Sequence, residues 1–246
     1  NDVVMLLWLV AGAWLWRQKR HTPGMLLLAA ATLTKPIALL SMPVFFVAGW
    51  RRLPNLAARL RFLAGTTGGG LLLAFLAFLP FGMPWALATR LLDEATLTPG
   101  FSPAALLLLA ANRWGIPLSF TLLGNSFRGL LLLVFLWLAW RGWHGRSPLR
   151  GSADLLFAYI LQAFSFRIWY TTWVFPLLLL DRTGGGETER RLQTGLWFLF
   201  TAQLSVFIYG HLWRYQLQDH FHSHLIGVPF VFLLPILLAR VRKWDW

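Results

Sequence analysis

The chain has 246 residues, 57% of them hydrophobic and only 13% charged, with fifteen Trp, twenty Phe and a formal net charge of +13. A soluble domain would carry charge on about a quarter of its residues, so this composition points to an integral membrane protein with several spans. The absence of cysteine excludes disulfides, thiolate catalysis and Cys-based metal sites.

The positive charge is not spread as nucleic-acid binding requires. It forms no stripe and no arginine-rich arm, so no nucleic-acid partner is expected. Sixteen of the 22 Lys and Arg residues lie in five short clusters between apolar segments. These are Arg17–Arg20; Arg51, Arg52, Arg59 and Arg61; Arg141, Arg146 and Arg150; Arg182, Arg190 and Arg191; and Arg240, Arg242 and Lys243. The positive-inside rule assigns such clusters to the cytoplasm. The expected location is therefore the cell membrane, as a multi-pass protein with its basic loops cytoplasmic.

In chain order, residues 2–16 are expected to run inward from an outer-face Asp2 to the first basic cluster. The segment from Gly24 to Gly49 is apolar except for Lys35, and both its flanks are basic. About 28 residues are too few for two crossings. A pair of short helices meeting at Lys35-Pro36 is the economical solution, because the residue before a proline is biased away from helix. Residues 62–80 run outward, with Gly68, Gly69 and Gly70 suited to close helix contact. A long outer loop, 81–119, follows. Within it the 102–114 segment is too short to span and reads as an interfacial helix, with Trp114 at headgroup level. Further spans are expected at 120–140, 153–166, 168–180, 194–210 and 225–239, and Thr183–Glu187 as a flexible linker. The fold class is thus an all-α polytopic bundle, about seven to nine membrane helices including short or broken ones, in a single transmembrane domain over 1–246.

Few residues carry chemistry. An ammonium inside a membrane costs at least about 2.5 kcal/mol, which makes Lys35 a functional candidate, the bland alternative being a lysine that bonds carbonyls freed by Pro36. Asp2 is a candidate base or ligand, or a simple partner of the helix dipole. Arg167-Ile-Trp-Tyr170 places a guanidinium beside aromatic rings, suited to gripping a lipid phosphate or to anchoring in the aromatic belt. His211, Arg214, Asp219, His220, His222 and His224 make the densest polar stretch. Its spacing matches no zinc signature, so a divalent metal is conceivable but not indicated and no cofactor is expected. Lining of a headgroup or sugar site, or a wet loop, are the other readings.

The order of these features resembles the GT-C superfamily, polytopic glycosyltransferases that use polyprenyl-phosphate-linked sugars, and among them the mannosyltransferase-like branch. The resemblance rests on Asn1-Asp2, the basic turn Arg17–Arg20, Leu33-Thr-Lys-Pro36, Asn112-Arg-Trp114 and Trp169-Tyr-Thr-Thr-Trp-Val-Phe-Pro176, and covers most of residues 1–180. It implies a GT-C-like fold and transfer of a hexose such as mannose, with inversion, from a polyprenyl-phosphate donor to a glycan or lipid acceptor at the extracytoplasmic face. It also implies that the principal catalytic Asp lies on a first outer loop preceding Asn1, so the chain is expected to be a fragment without its N-terminal helices and that loop. Asp2 is then a supporting acid. Lys35, Asn112, Trp114, Arg167, Trp169, Tyr170, His211 and Arg214 are the expected substrate-binding residues. The rival expectation is a lipid or glycan flippase, which should show two related halves; no internal repeat is evident.

Overall fold

The first two helices of the chain, α1 (Asp2–Arg17) and α2 (His21–Thr34), form an antiparallel hairpin closed by the basic turn at Gln18–Arg20. Their crossing is made by two glycines. A Cβ on Gly12 would lie 2.8 Å from the Gly24 carbonyl oxygen, and a Cβ on Gly24 would lie 2.8 Å from that of Gly12. Backbone meets backbone there, the small-residue packing that serves helices lacking a hydrophobic drive to associate. The computed structural model describes residues 1–81, 100–163, 166–181 and 185–241, and these are helical throughout apart from caps, turns and short connections, with no strand among them. The first part of the expected long outer loop, 82–99, and the start of the expected linker, 183–184, lie outside the described residues, whereas the rest of that linker, 185–187, is the first turn of a helix.

After α2 the chain breaks where the sequence demands. Lys35 is extended (φ −152°, ψ 118°), and a 3₁₀ turn from Pro36 to Leu40 leads into α3 (Ser41–Arg52). Helix α4 (Leu56–Phe78) is started by Asn55, whose side chain accepts from the Ala58 amide at 2.8 Å, a standard N-cap. It runs parallel to α2. A Cβ on Gly65 would meet Thr22, and one on Gly69 would meet Leu26 at 2.6 Å, so the close approach uses Gly65-x-x-x-Gly69. Of the glycines expected to do this, Gly68 and Gly70 have open space instead; they fall on other faces of the same helix.

Helix α5 (Pro103–Arg113) is the expected short helix, capped by Ser102, which accepts from the Ala105 amide at 3.1 Å. Then come α6 (Phe120–Trp143), α7 (Pro148–Gln162), a 3₁₀ segment Ile168–Trp173, α8 (Phe175–Leu180) and α9 (Gly185–Val206). Helix α9 continues as a π-helix, Phe207–Leu217. The last stretch is α10 (His220–Val228), a π-turn Pro229–Leu233 and α11 (Leu234–Val241).

Among the described residues four helical stretches are long and apolar enough to cross a membrane: Leu56–Phe78, Phe120–Trp143, Glu189–Leu217 and His220–Arg240. The expected spans 2–16, 153–166 and 168–180 fall on shorter helices. The longest of these, α1, has 16 residues, a reach of about 24 Å against about 30 Å of hydrocarbon. Between Leu130 and Trp140 the exposed side chains of α6, among them Leu133, Leu136 and Trp137, are apolar as a lipid-facing helix requires, whereas Asn125, Ser126 and Arg128 are exposed nearer its start.

The chain divides into two compact units, one of residues 1–97 with 135–156, the other of 98–134 with 157–246. The first has its core where Leu9, Trp16, Leu28 and Phe45 are buried; Phe45 meets Trp16 edge-on at 5.5 Å. The second is centred on Phe166, Phe198 and Phe232, whose rings lie 5.1 to 5.9 Å apart.

Candidate functional site

In the first unit the hairpin brings together two residues singled out by the sequence. With Gly12 opposite Gly24, the antiparallel register carries the start of α1 to the end of α2, and Lys35 Nζ donates to the Asp2 carboxylate. Both side chains are about one-quarter exposed. Asp2 lies in the first turn of α1, where the positive end of the helix dipole also favours it. Near Lys35 the Thr32 and Thr34 hydroxyls donate back to the Leu28 and Ala30 carbonyls at 3.0 and 2.9 Å. The Lys35 amide keeps a bond to Ala31, so the proline frees few backbone groups. The lysine sits at the end of the hairpin opposite the basic turn.

In the second unit the π-helix opens a cavity of about 260 Å³ whose lining includes Phe101, Phe166, Ile168, Ser205, Tyr209 and Phe232. Tyr209 stacks on Phe101 with ring centroids 3.6 Å apart, and His224 lies 5.3 Å from Phe101. The Tyr209 ring fits because position 227 is glycine: a Cβ there would come 2.2 Å from its hydroxyl. Irregular π-turns of this kind recur at functional sites. The walls are apolar. The Ser205 hydroxyl donates to the Ala202 carbonyl at 2.6 Å.

Arg167 sits between two of the lining residues, Phe166 and Ile168, and its own side chain is exposed. Tyr170 turns inward to stack on Trp173 at 4.0 Å, while Trp169 is exposed. Asn112 and Trp114 are exposed at the end of α5, and Trp114 meets Phe221 edge-on at 6.3 Å. His211 and Arg214 are exposed on the π-helix, with the Arg214 guanidinium 5.8 Å from the Tyr215 ring. Thus the 166–168 turn and the 205–210 stretch share one cavity, but Asn112, Trp169, His211 and Arg214 do not line it. Phe101, Ser205 and Tyr209 carry no motif, and only the i, i+4 spacing of Ser205 and Tyr209 hints at a shared helix face.

The polar stretch at 211–224 is not a loop. It is the end of the π-helix, a left-handed turn at Gln218 (φ 49°) and the start of α10. Asp219 caps α10, accepting from the Phe221 amide at 3.1 Å and from His222 Nδ1 at 2.5 Å. These bonds, the Phe221 amide first, hold its carboxyl below the usual carboxylate range. His224 donates from Nδ1 to the His220 carbonyl at 2.7 Å and packs inward beside Phe101. Helix formation turns His222 away from His220 and His224, which stand one turn apart, and among the described residues no three His, Asp or Glu side chains converge on a metal position.

No protein-family model, curated protein or solved structure matches this chain.

Proposed function

We propose that the chain is the membrane part of an inverting glycosyltransferase of the GT-C type, acting on a polyprenyl-phosphate-linked hexose at the face of the membrane opposite the basic loops. The observation that carries this reading is the Asp2–Lys35 pair. Two of the elements that resemble the superfamily, Asn1-Asp2 and Leu33-Thr-Lys-Pro36, are distant in sequence and adjacent in the fold. A lysine committed to a carboxylate holds that acid in place, a role that offsets the cost of its position.

In this reading the acceptor hydroxyl oxygen attacks the anomeric carbon from the face opposite the phosphate. The bond between that carbon and the phosphate oxygen breaks, its electron pair leaves with the polyprenyl phosphate, and the hydroxyl proton passes to a carboxylate. Arg167 and Arg214 bind the phosphate and stabilise the charge it gains on departure. Trp114, Trp169 and Tyr170 offer ring faces to sugars, Asn112 and His211 offer hydrogen bonds to hydroxyls, and the aromatic cavity suits an apolar chain. Asp2 is the candidate carboxylate of this chain, in the supporting role that the resemblance implies. Seven to nine membrane helices in a GT-C arrangement belong to the same proposal, with membrane lipids and a glycan or lipid acceptor as the other partners.

The break at Lys35-Pro36 also fits a flippase for polyprenyl-linked glycans, since transporters use discontinuous helices near their substrates. One assay separates the two. Membranes carrying the protein are given radiolabelled polyprenyl-phosphate hexoses, and transfer of label to a non-polyprenyl product is followed for the wild type and Arg167→Ala. Transfer by the wild type that falls at least tenfold, by roughly 1.4 kcal/mol of lost phosphate binding, in Arg167→Ala supports the proposal. Translocation of intact donor without transfer sinks it in favour of the flippase.

A further inference from the structure

At the basic end of the first unit, three guanidinium groups surround a second cavity. It has a volume of about 340 Å³ and is lined by Ala48, Arg51, Arg52, Gly142, Gly145 and Arg146. No acidic residue lines it. Two of the arginines have partners that hold them. The Arg52 guanidinium lies 4.4 Å above the Trp16 ring, itself buried. Arg146 is paired with Asp154 through Nη2 and is only one-tenth exposed, yet its buried Nε has no hydrogen-bond partner. Arg51 is exposed, and the glycine at 145 leaves room for its guanidinium. Gly145 is left-handed (φ 101°), and a Cβ there would lie 2.9 Å from Arg51 Nη1.

Three guanidiniums around one cavity, offset only by Asp154 on Arg146, leave net positive charge and a buried Nε donor that an anion would satisfy. Guanidinium forks match the oxygens of phosphate, and pre-fixing them reduces what each bond loses in entropy. The surroundings say where the anion comes from. Helix α6, long enough to cross a membrane, ends at this cavity. Its last turns carry Trp137, Trp140 and Trp143, each about half exposed, the pattern of an interfacial aromatic belt. The Arg141 and Arg146 guanidiniums stand 5.6 and 5.9 Å from the Trp137 ring. The cavity therefore opens at headgroup depth. We propose that it binds the phosphate of an anionic phospholipid headgroup from the leaflet at the basic end, a site separate from the glycosyl-transfer residues and independent of that function.

The test is lipid retention. The full chain is reconstituted in nanodiscs of equal phosphatidylglycerol and phosphatidylcholine, extracted into mild detergent, and its bound lipids are counted by native mass spectrometry. The wild type is expected to retain phosphatidylglycerol in clear excess. Arg51→Gln/Arg52→Gln should reduce that excess by roughly tenfold, and the equally discharged Arg113→Gln/Arg128→Gln should keep it. Arg52 also packs on Trp16, so a second variant guards against simple misfolding. Gly142 lines the cavity and a Cβ there meets nothing within 4 Å, so Gly142→Glu brings a carboxylate to the guanidiniums with room for its Cβ and should abolish the excess in a protein whose unchanged thermal unfolding shows it folded. Equal retention of both lipids by the wild type overturns the proposal. So does an unchanged excess in Gly142→Glu, or an equal loss in Arg113→Gln/Arg128→Gln. Saturable binding of inorganic phosphate by the lipid-free protein in micelles, seen by phosphorus NMR and lost in Gly142→Glu, with no lipid preference, would make the ligand a soluble phosphate instead.

Discussion

Lys35 reaches Asp2 across 33 positions of sequence because the hairpin of α1 and α2 has its register set at Gly12 and Gly24. The pair is about one-quarter exposed, between the surface case, where an ion pair contributes little, and the buried case, where removing one partner is severe. Asp2→Asn or Lys35→Met alone should therefore lower stability by about 1–3 kcal/mol. Asp2→Asn/Lys35→Met should cost less than the two single changes added together. Unfolding by SDS titration in mixed micelles measures the cycle. Strictly additive effects would mean that the two charges do not interact.

The same hairpin predicts an asymmetry among the glycines. Gly24→Val places a branched side chain against the Gly12 carbonyl and the Trp16 backbone, 2.8 and 3.1 Å from its Cβ. Neither can yield without separating the helices, so a loss of about 1–3 kcal/mol is expected. Gly68→Ala and Gly70→Ala meet open space and should be neutral or slightly stabilising, by up to about 1 kcal/mol, through helix propensity. Thermal unfolding of the purified variants in one detergent ranks them.

Much of this arrangement was legible in the sequence. Pro36 dictated the break at Lys35, and the short apolar run at 102–114 marked α5. The apolar segments marked helix after helix because each residue type reports its local preference. What pairs with what was not legible. That Gly65 and Gly69, not Gly68 and Gly70, face α2 depends on how α4 is rotated, which tertiary contacts decide. The 211–224 stretch reads as a polar loop by composition, yet Asp219 caps a helix there, and a π-helix leaves no periodic trace in a short window. The cavity beside Tyr209 was hidden for the same reason. Its walls are ordinary aromatic residues, and only the placement of Gly227 makes room for them.

Asp219 links acid stability to the start of α10. The Phe221 amide, aided by His222, lowers its carboxyl pKa in the folded chain. A depressed acid contributes stability that is present above the unfolded-state value and lost as pH falls through the folded one. The wild type should therefore lose helix stability on acidification below about pH 4. Asp219→Asn keeps a capping oxygen but has no proton to gain, so its loss in that window should be smaller. Comparing thermal midpoints at pH 7 and pH 3 for the two proteins, both in the same micelles, checks the sign. A larger acid loss in Asp219→Asn would contradict the assignment.

Gly227 and Tyr209 decide whether the cavity of the second unit persists. A methyl group at 227 would sit 2.2 Å from the Tyr209 hydroxyl and 2.4 Å from the ring carbon bearing it. Tyrosine is stiff, and Phe101 stacked 3.6 Å away blocks its retreat. The ring in Gly227→Ala must swing toward the cavity that it lines, at a cost of about 1–3 kcal/mol. Tyr209→Leu in the Gly227→Ala background should relieve the clash and recover most of that stability, although it loses the stacking with Phe101. An apolar fluorescent probe that brightens on entering the second unit reports the cavity directly. Its binding should fall in Gly227→Ala and return in the double variant. If Gly227→Ala leaves both stability and probe binding unchanged, the packing of Tyr209 against this helix is not what shapes the cavity.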